Sequence, residues 1–92
     1  MDLEVKHDKD NQLFVTAADG KEAYLRYSMK GNDTIDFIYT YVPNELRGKG
    51  LAAVVVKEGF KYAEQNNLRV IPTCPYVRTF LERHQEYQKL IK

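Results

Sequence analysis

Arg47-Gly48-Lys49-Gly50 is the stretch best equipped for chemistry. Two glycines flank a lysine just before Leu51-Ala52, where a helical pattern begins. Glycines let a backbone turn sharply and let a ligand come close to it. The first N–H groups of a helix have no intrahelical partners, and with the helix dipole they form a ready anion site. Arg47 and Lys49 add mobile positive charge at the rim. Phosphate or pyrophosphate is the natural guest. A plain strand-to-helix loop, its glycines serving geometry alone, has the same appearance, and an isolated Gly-x-Gly is more often that. The stretch is not a Walker A loop, because Lys49 is not followed by Ser or Thr. It is not the dinucleotide fingerprint either, because no third glycine follows and no βαβ order precedes it.

Other reactive side chains are few. Cys74 is the single cysteine and stands before Pro75 at the start of a helical pattern. A helix N-terminus favours a thiolate, whereas a buried cysteine acts as a small hydrophobe; both readings stand. His84 follows a short helix, and histidine is the side chain that titrates near neutral pH, so it is a candidate general base. A lone histidine near a helix end more often serves the dipole, and His7, in a strand pattern, earns no stronger reading. Tyr24, Tyr27, Tyr39 and Tyr41 fit core and cross-strand packing. One cysteine and two distant histidines make a zinc site improbable, so no metal is expected.

These residues must be placed by a small framework. The chain has 92 residues, which fits one domain over residues 1–92. Its 43% hydrophobic and 12% aromatic content can fill a core. The net charge of +1 argues against a dedicated nucleic-acid binder and against disorder. One cysteine cannot form an internal disulfide, the N-terminus has no signal-length apolar stretch, and the longest apolar run, Leu51 to Val56, is far too short to span a bilayer. A cytoplasmic location, with no membrane partner, is the expectation. Near-neutral charge permits a monomer or a weak homodimer.

The first half reads as strands. Leu3, Val5 and His7 alternate with Asp2, Glu4 and Lys6; a turn at Asp8–Asn11 follows; then come Leu13, Phe14 and Val15 and a turn at Ala18-Asp19-Gly20. Ala23, Leu25, Tyr27 and Met29 alternate with polar neighbours up to the turn at Gly31. From Thr34 to Val42, Ile35, Phe37, Tyr39 and Tyr41 fill one face, with Ile38 and Val42 on the other. This predicts a central strand covered on both sides. Short turns predict an antiparallel meander. The period then changes to helical over Leu51–Gln65, with Asn66-Asn67 as its stop. Leu68–Ile71 reads as a short strand, Tyr76–Arg83 as a helix behind Pro75, and Glu86–Ile91 as a last helical segment. The order is β-β-β-β-α-β-α, an α+β fold with a mainly antiparallel sheet.

Arg47-Gly48-Lys49-Gly50-Leu51-Ala52 fits the pattern Arg/Gln-x-x-Gly-x-Gly/Ala. It resembles the acetyl-CoA signature of the GCN5-related N-acetyltransferases, in which this loop follows the fourth strand and opens the central helix. The element order is similar to that family's C-terminal two-thirds, so the resemblance runs from about Ala23 to Leu90. It implies a minimal acyl-CoA N-acyltransferase-like fold that takes acetyl-CoA or coenzyme A and acetylates an amine acceptor. It implies pantetheine bonds from the backbone of Tyr39, Thr40, Tyr41 and Val42, and a pyrophosphate cradle at Arg47, Gly48, Lys49, Gly50, Leu51 and Ala52. Arg78 would face the cofactor's outer phosphate. Asp36, pointing opposite to Phe37, would orient the amine or accept its proton.

The chain also departs from typical members, which are nearly twice as long and carry one or two helices between the first two strands. Only Asp8 to Asn11 separates them here, so the acceptor side should be open or built by a partner. Many members place an Asn at the position of Cys74 and a catalytic Tyr seven residues on; here the latter is Leu81, and the nearest phenol is Tyr76. Thr73-Cys74-Pro75-Tyr76-Val77 resembles a short subfamily with a Cys-Pro-Tyr motif, as does Glu82-Arg83-His84-Gln85-Glu86-Tyr87. In that setting Cys74, beside the thioester, is a candidate acetyl relay. The rival readings are a non-catalytic acyl-CoA-binding or sensing module, and an RNA- or protein-binding domain that sets the loop on a nucleic-acid backbone.

Overall fold

A computed structural model describes residues 3–92. Asp2, which the sequence places in the first alternation, lies outside the described residues. Five strands form one sheet in the order β1-β2-β3-β4-β5: β1 (Val5–Asp8), β2 (Leu13–Ala18), β3 (Lys21–Met29), β4 (Thr34–Tyr41) and β5 (Arg69–Ile71). The first four pair antiparallel with their chain neighbours, and β5 lies parallel to β4. Helix α1 (Leu51–Gln65) connects β4 to β5, and α2 (Pro75–Arg83) follows β5. The expected meander and element order are present. Two 3-10 turns add to it, Asn44–Leu46 inside the loop and Gln85–Leu90 where a last helical segment was expected.

Both helices pack on one face of the sheet. The Phe37 ring meets Phe60 of α1 edge-on at 5.1 Å, and Phe60 stacks on Phe80 of α2 at 5.8 Å. Phe14, Leu25, Ile35, Val56, Val70 and Val77 are fully buried in the same cluster. Each such side chain contributes about 1.5–3 kcal/mol of burial, which is what holds so short a chain together. Helix α1 ends at Asn66, whose side-chain amide donates to the Tyr62 carbonyl at 2.8 Å, and Asn67 leaves in the left-handed region at φ 56°. Pro75 opens α2 at a position that needs no N–H donor.

The fourth strand corrects the sequence reading. Arg26 faces Tyr39 and Tyr27 faces Phe37, so Ile38 is an extra residue on β4. This β-bulge reverses the alternation. Ile35 and Phe37 are buried as expected, but Tyr39 is 49% and Tyr41 37% exposed, on the face away from the helices. There they pack with Tyr24 at ring distances of 6.4 and 5.3 Å. Nor is β4 covered on both faces. It is flanked by strands on both edges, yet Ile38 is 37% exposed and Asp36 is half-buried. Among the described residues no helix is long and apolar enough to cross a membrane.

Candidate functional site

Strand β4 outruns β5. The two pair at Thr34–Arg69, Ile35–Val70 and Asp36–Ile71, and then the Cys74 N–H donates to the Phe37 carbonyl at 2.9 Å. Pro72 carries no N–H to extend the ladder. Beyond Phe37, β4 runs on to Tyr41 along β3 alone. A cleft of about 390 Å³ opens at this point. Its walls are Tyr39, Thr40, Tyr41 and Val42 on one side and Arg47, Gly48, Gly50 and Ala52 on the other, with Tyr76 reaching in from α2. A strand edge without a partner strand offers a linear ligand a row of backbone donors and acceptors.

The far end of the cleft suits an anion. Gly48 and Gly50 hold φ of 84° and 78°, in the left-handed region that favours glycine. Gly50 is the N-cap of α1 and offers no side chain to cap it, and the first turn carries no acidic residue. Its leading N–H groups are therefore left for a ligand. The loop is anchored at both ends: Leu46 and Leu51 are buried with Ala23 in a small second core cluster. The Leu51 side chain thus fixes the helix start, and Leu51 does not line the cleft. The Arg47 Nε–H donates to the Val42 carbonyl at 3.2 Å and keeps that guanidinium at the cleft rim. Lys49 points elsewhere. Its ammonium lies 3.6 Å from Asp19 in the β2–β3 turn, and it does not line the cleft. A second pair, Lys21–Glu45 at 3.4 Å, ties the same turn to the loop.

Cys74 caps the N-terminus of α2 and is 4% exposed. Its sulfur lies 3.3 Å from the Thr40 hydroxyl, which does line the cleft. Burial pushes the Tyr76 phenol above its usual value, while the Arg83 guanidinium opposes this and charge on Cys74 adds to it. Tyr76 is thus a proton donor rather than a phenolate at neutral pH. The Thr73 hydroxyl donates to Asp36 Oδ1 at 2.5 Å and ties β4 to the β5–α2 connection; neither residue lines the cleft.

The remaining candidates lie apart. The Arg78 guanidinium donates to the Thr73 carbonyl at 3.4 Å and does not line the cleft. His84 caps the C-terminal end of α2, stacks on Phe80 at 4.1 Å and sits 3.8 Å from Glu86, none of them in the cleft. His7 bonds the Tyr27 hydroxyl at 2.6 Å. Leu81 is buried in the core and does not line the cleft. No group of three or more His, Cys, Asp or Glu that could hold a metal occurs among the described residues. Sequence reasoning missed Asp19 and Thr73, whose contacts here are with residues far along the chain.

A meander crossed by a central helix, with a strand-edge cleft that ends on a glycine loop, defines an acyl-CoA N-acyltransferase-like fold. Residues 13–90 match the family of the GCN5-related N-acetyl-transferases, and the chain belongs to that family. Its relatives include Protein NATD1 of Danio rerio, 30% identical over 90 residues, covering 96% of this chain and 82% of the relative. Protein NATD1 of Homo sapiens is 26% identical over 84 residues, covering 89% of this chain and 74% of the relative. A solution structure from Staphylococcus aureus, described as GCN5-like, superposes with a TM-score of 0.75 at 28% identity, covering 98% of this chain and 88% of the other.

Proposed function

We propose that the protein is an acetyl-CoA-dependent N-acetyltransferase with an open acceptor site. The observation that carries this is the parting of β4 from β5 beside an uncapped helix N-terminus. The backbone of Tyr39–Val42 supplies the edge along which a pantetheine chain would bond. The N–H groups from Gly48 to Ala52, with Arg47 at the rim, suit its pyrophosphate. Acetyl-CoA, when bound, supplies an activated thioester. The acceptor is an amine, a small molecule or a protein side chain. It approaches over the uncovered sheet face, where Asp36 can take its proton, while Tyr76, reaching into the cleft from α2, can return one to the leaving sulfur.

Cys74 offers a second route. Its thiolate would attack the thioester carbon, the bond from that carbon to the CoA sulfur would break, and the CoA thiolate would leave and take up a proton. The amine would then attack the S-acetyl-cysteine, restoring the thiol as the amine nitrogen loses its proton.

The deep burial of Cys74 and the core position of Leu81 favour one rival, a non-catalytic acyl-CoA-binding module. Calorimetric titration with acetyl-CoA tests the cofactor. Mass spectrometry after incubation with acetyl-CoA and polyamines, peptides or small amines tests transfer. Binding without turnover on any acceptor supports the rival. RNA binding with a steep salt slope and no CoA binding overturns both.

A further inference from the structure

The two cations that flank Gly48 point in different directions. Arg47 is pinned to the Val42 carbonyl and lines the cleft. Lys49 is turned out of the cleft toward Asp19, at 3.6 Å. Asp19 sits at φ 53° and Gly20 at φ 76°, so the turn between β2 and β3 is tight and presents its carboxylate at a defined place. The Lys21–Glu45 pair fastens that turn to the loop a second time. The β2–β3 turn is thereby part of the surroundings of the anion end of the cleft, although it contributes nothing to the cleft lining.

We infer that Asp19 sets the affinity of the glycine loop by competing with the ligand's diphosphate for Lys49. The inference rests on the cofactor reading above. With the cleft empty, the lysine is held by one carboxylate. A diphosphate at the Gly48–Ala52 N–H groups presents more negative charge and draws the ammonium across the loop. The lysine side chain is 54% and the Asp19 side chain 74% exposed, so exchange needs no unpacking of the core. Binding must therefore break one ion pair to make another, and Asp19 is left unpaired near an anion. Both effects weaken the complex. Because the pair is solvent-exposed, the penalty is small, roughly a two- to fivefold loss of affinity.

The test is a double-mutant cycle read by calorimetry with CoA. Asp19→Asn should tighten CoA binding about two- to fivefold. It should also steepen the decline of affinity with salt, since binding then makes an ion pair without breaking one. In a Lys49→Gln background the gain from Asp19→Asn should shrink. Unchanged or weaker binding by Asp19→Asn overturns the inference. So does a gain that persists undiminished without Lys49, because Asp19 would then act by direct repulsion. If the wild-type chain binds no CoA at all, the cofactor reading fails first and takes this inference with it. Circular dichroism and thermal melts of the variants confirm that each compared protein is folded.

Discussion

The Thr40 hydroxyl lies 3.3 Å from the Cys74 sulfur, and of the two side chains only Thr40 lines the cleft. The thiol therefore stands one atom layer behind the surface a ligand would touch. This separates two roles that a cysteine in such a place could have. Cys74→Ala should bind acetyl-CoA with nearly wild-type affinity, because Thr40 keeps its place in the wall. Under the relay route, intact-protein mass spectrometry should show an acetyl adduct on the wild type and none on that variant; no adduct on either assigns transfer to direct attack by the amine. Loss of binding in Cys74→Ala would instead make the sulfur a structural or cofactor contact.

Gly50 caps α1 at φ 78°, and a Cβ built there would meet nothing within 4 Å. The penalty for Gly50→Ala is thus backbone strain alone, about 1–2 kcal/mol. Urea unfolding should register it. The strained cap would also turn its N–H groups away from the anion position, and CoA affinity should fall roughly tenfold, equivalent to about 1.4 kcal/mol. Full affinity in this variant would show that the loop N–H groups are not the anion site.

Gly59 on α1 has the opposite problem. A Cβ there would sit 2.8 Å from Leu25 Cδ2 and 3.0 Å from Phe37 Cζ. Helix propensity favours alanine by about 1 kcal/mol, but overpacking costs about 1–3 kcal/mol. Gly59→Ala should therefore lower the melting temperature. Phe37 also accepts the Cys74 N–H bond, so its displacement should reach the cleft and weaken CoA binding as well. A stabilised variant would mean that Leu25 yields without strain.

The edge strand β1 is fastened by His7, which stacks on Phe14 at 4.3 Å, meets Tyr62 edge-on and bonds the Tyr27 hydroxyl. Burial lowers the His7 imidazole below its usual value, the Lys9 ammonium adds to this, and Asp8 opposes it. The unfolded chain then binds the proton first. The stabilising effect is complete above the unfolded value of about 6.5 and is lost as pH falls through the lower folded value. Burial raises the Tyr27 phenol, so its effect is complete below its unfolded value of about 10 and is lost above it. Denaturation curves across pH 5–7 should show the acid decline, and His7→Phe should flatten it.

Local pattern carried most of the architecture. Alternation in β3, the helical period of α1 and the Pro75 start of α2 each follow from near neighbours in the chain, and each stands where the sequence places it. The turn of the glycine loop was legible for the same reason, because glycine itself signals the left-handed backbone found at Gly48 and Gly50. The bulge at Ile38 was not legible. Ile35, Phe37, Tyr39 and Tyr41 continue one apolar alternation, and tyrosine is at home on either face of a sheet. The direction of Lys49 was equally hidden, since it depends on where a distant turn brings Asp19. Arg78 and His84 showed plausible chemistry in the sequence, but their contacts are with helix-end groups outside the cleft.

Each pairing in the β1–β4 meander joins chain neighbours, whereas β4–β5 pairing must close across the whole of α1. Long closures cost more entropy and form slowly. The cleft lies where that one closure stops, so we expect it to take shape after the meander has folded. A ligand seated there should then slow unfolding and leave the folding rate nearly unchanged. Stopped-flow kinetics with and without CoA would show the unfolding limb of the chevron moving down while the folding limb holds still.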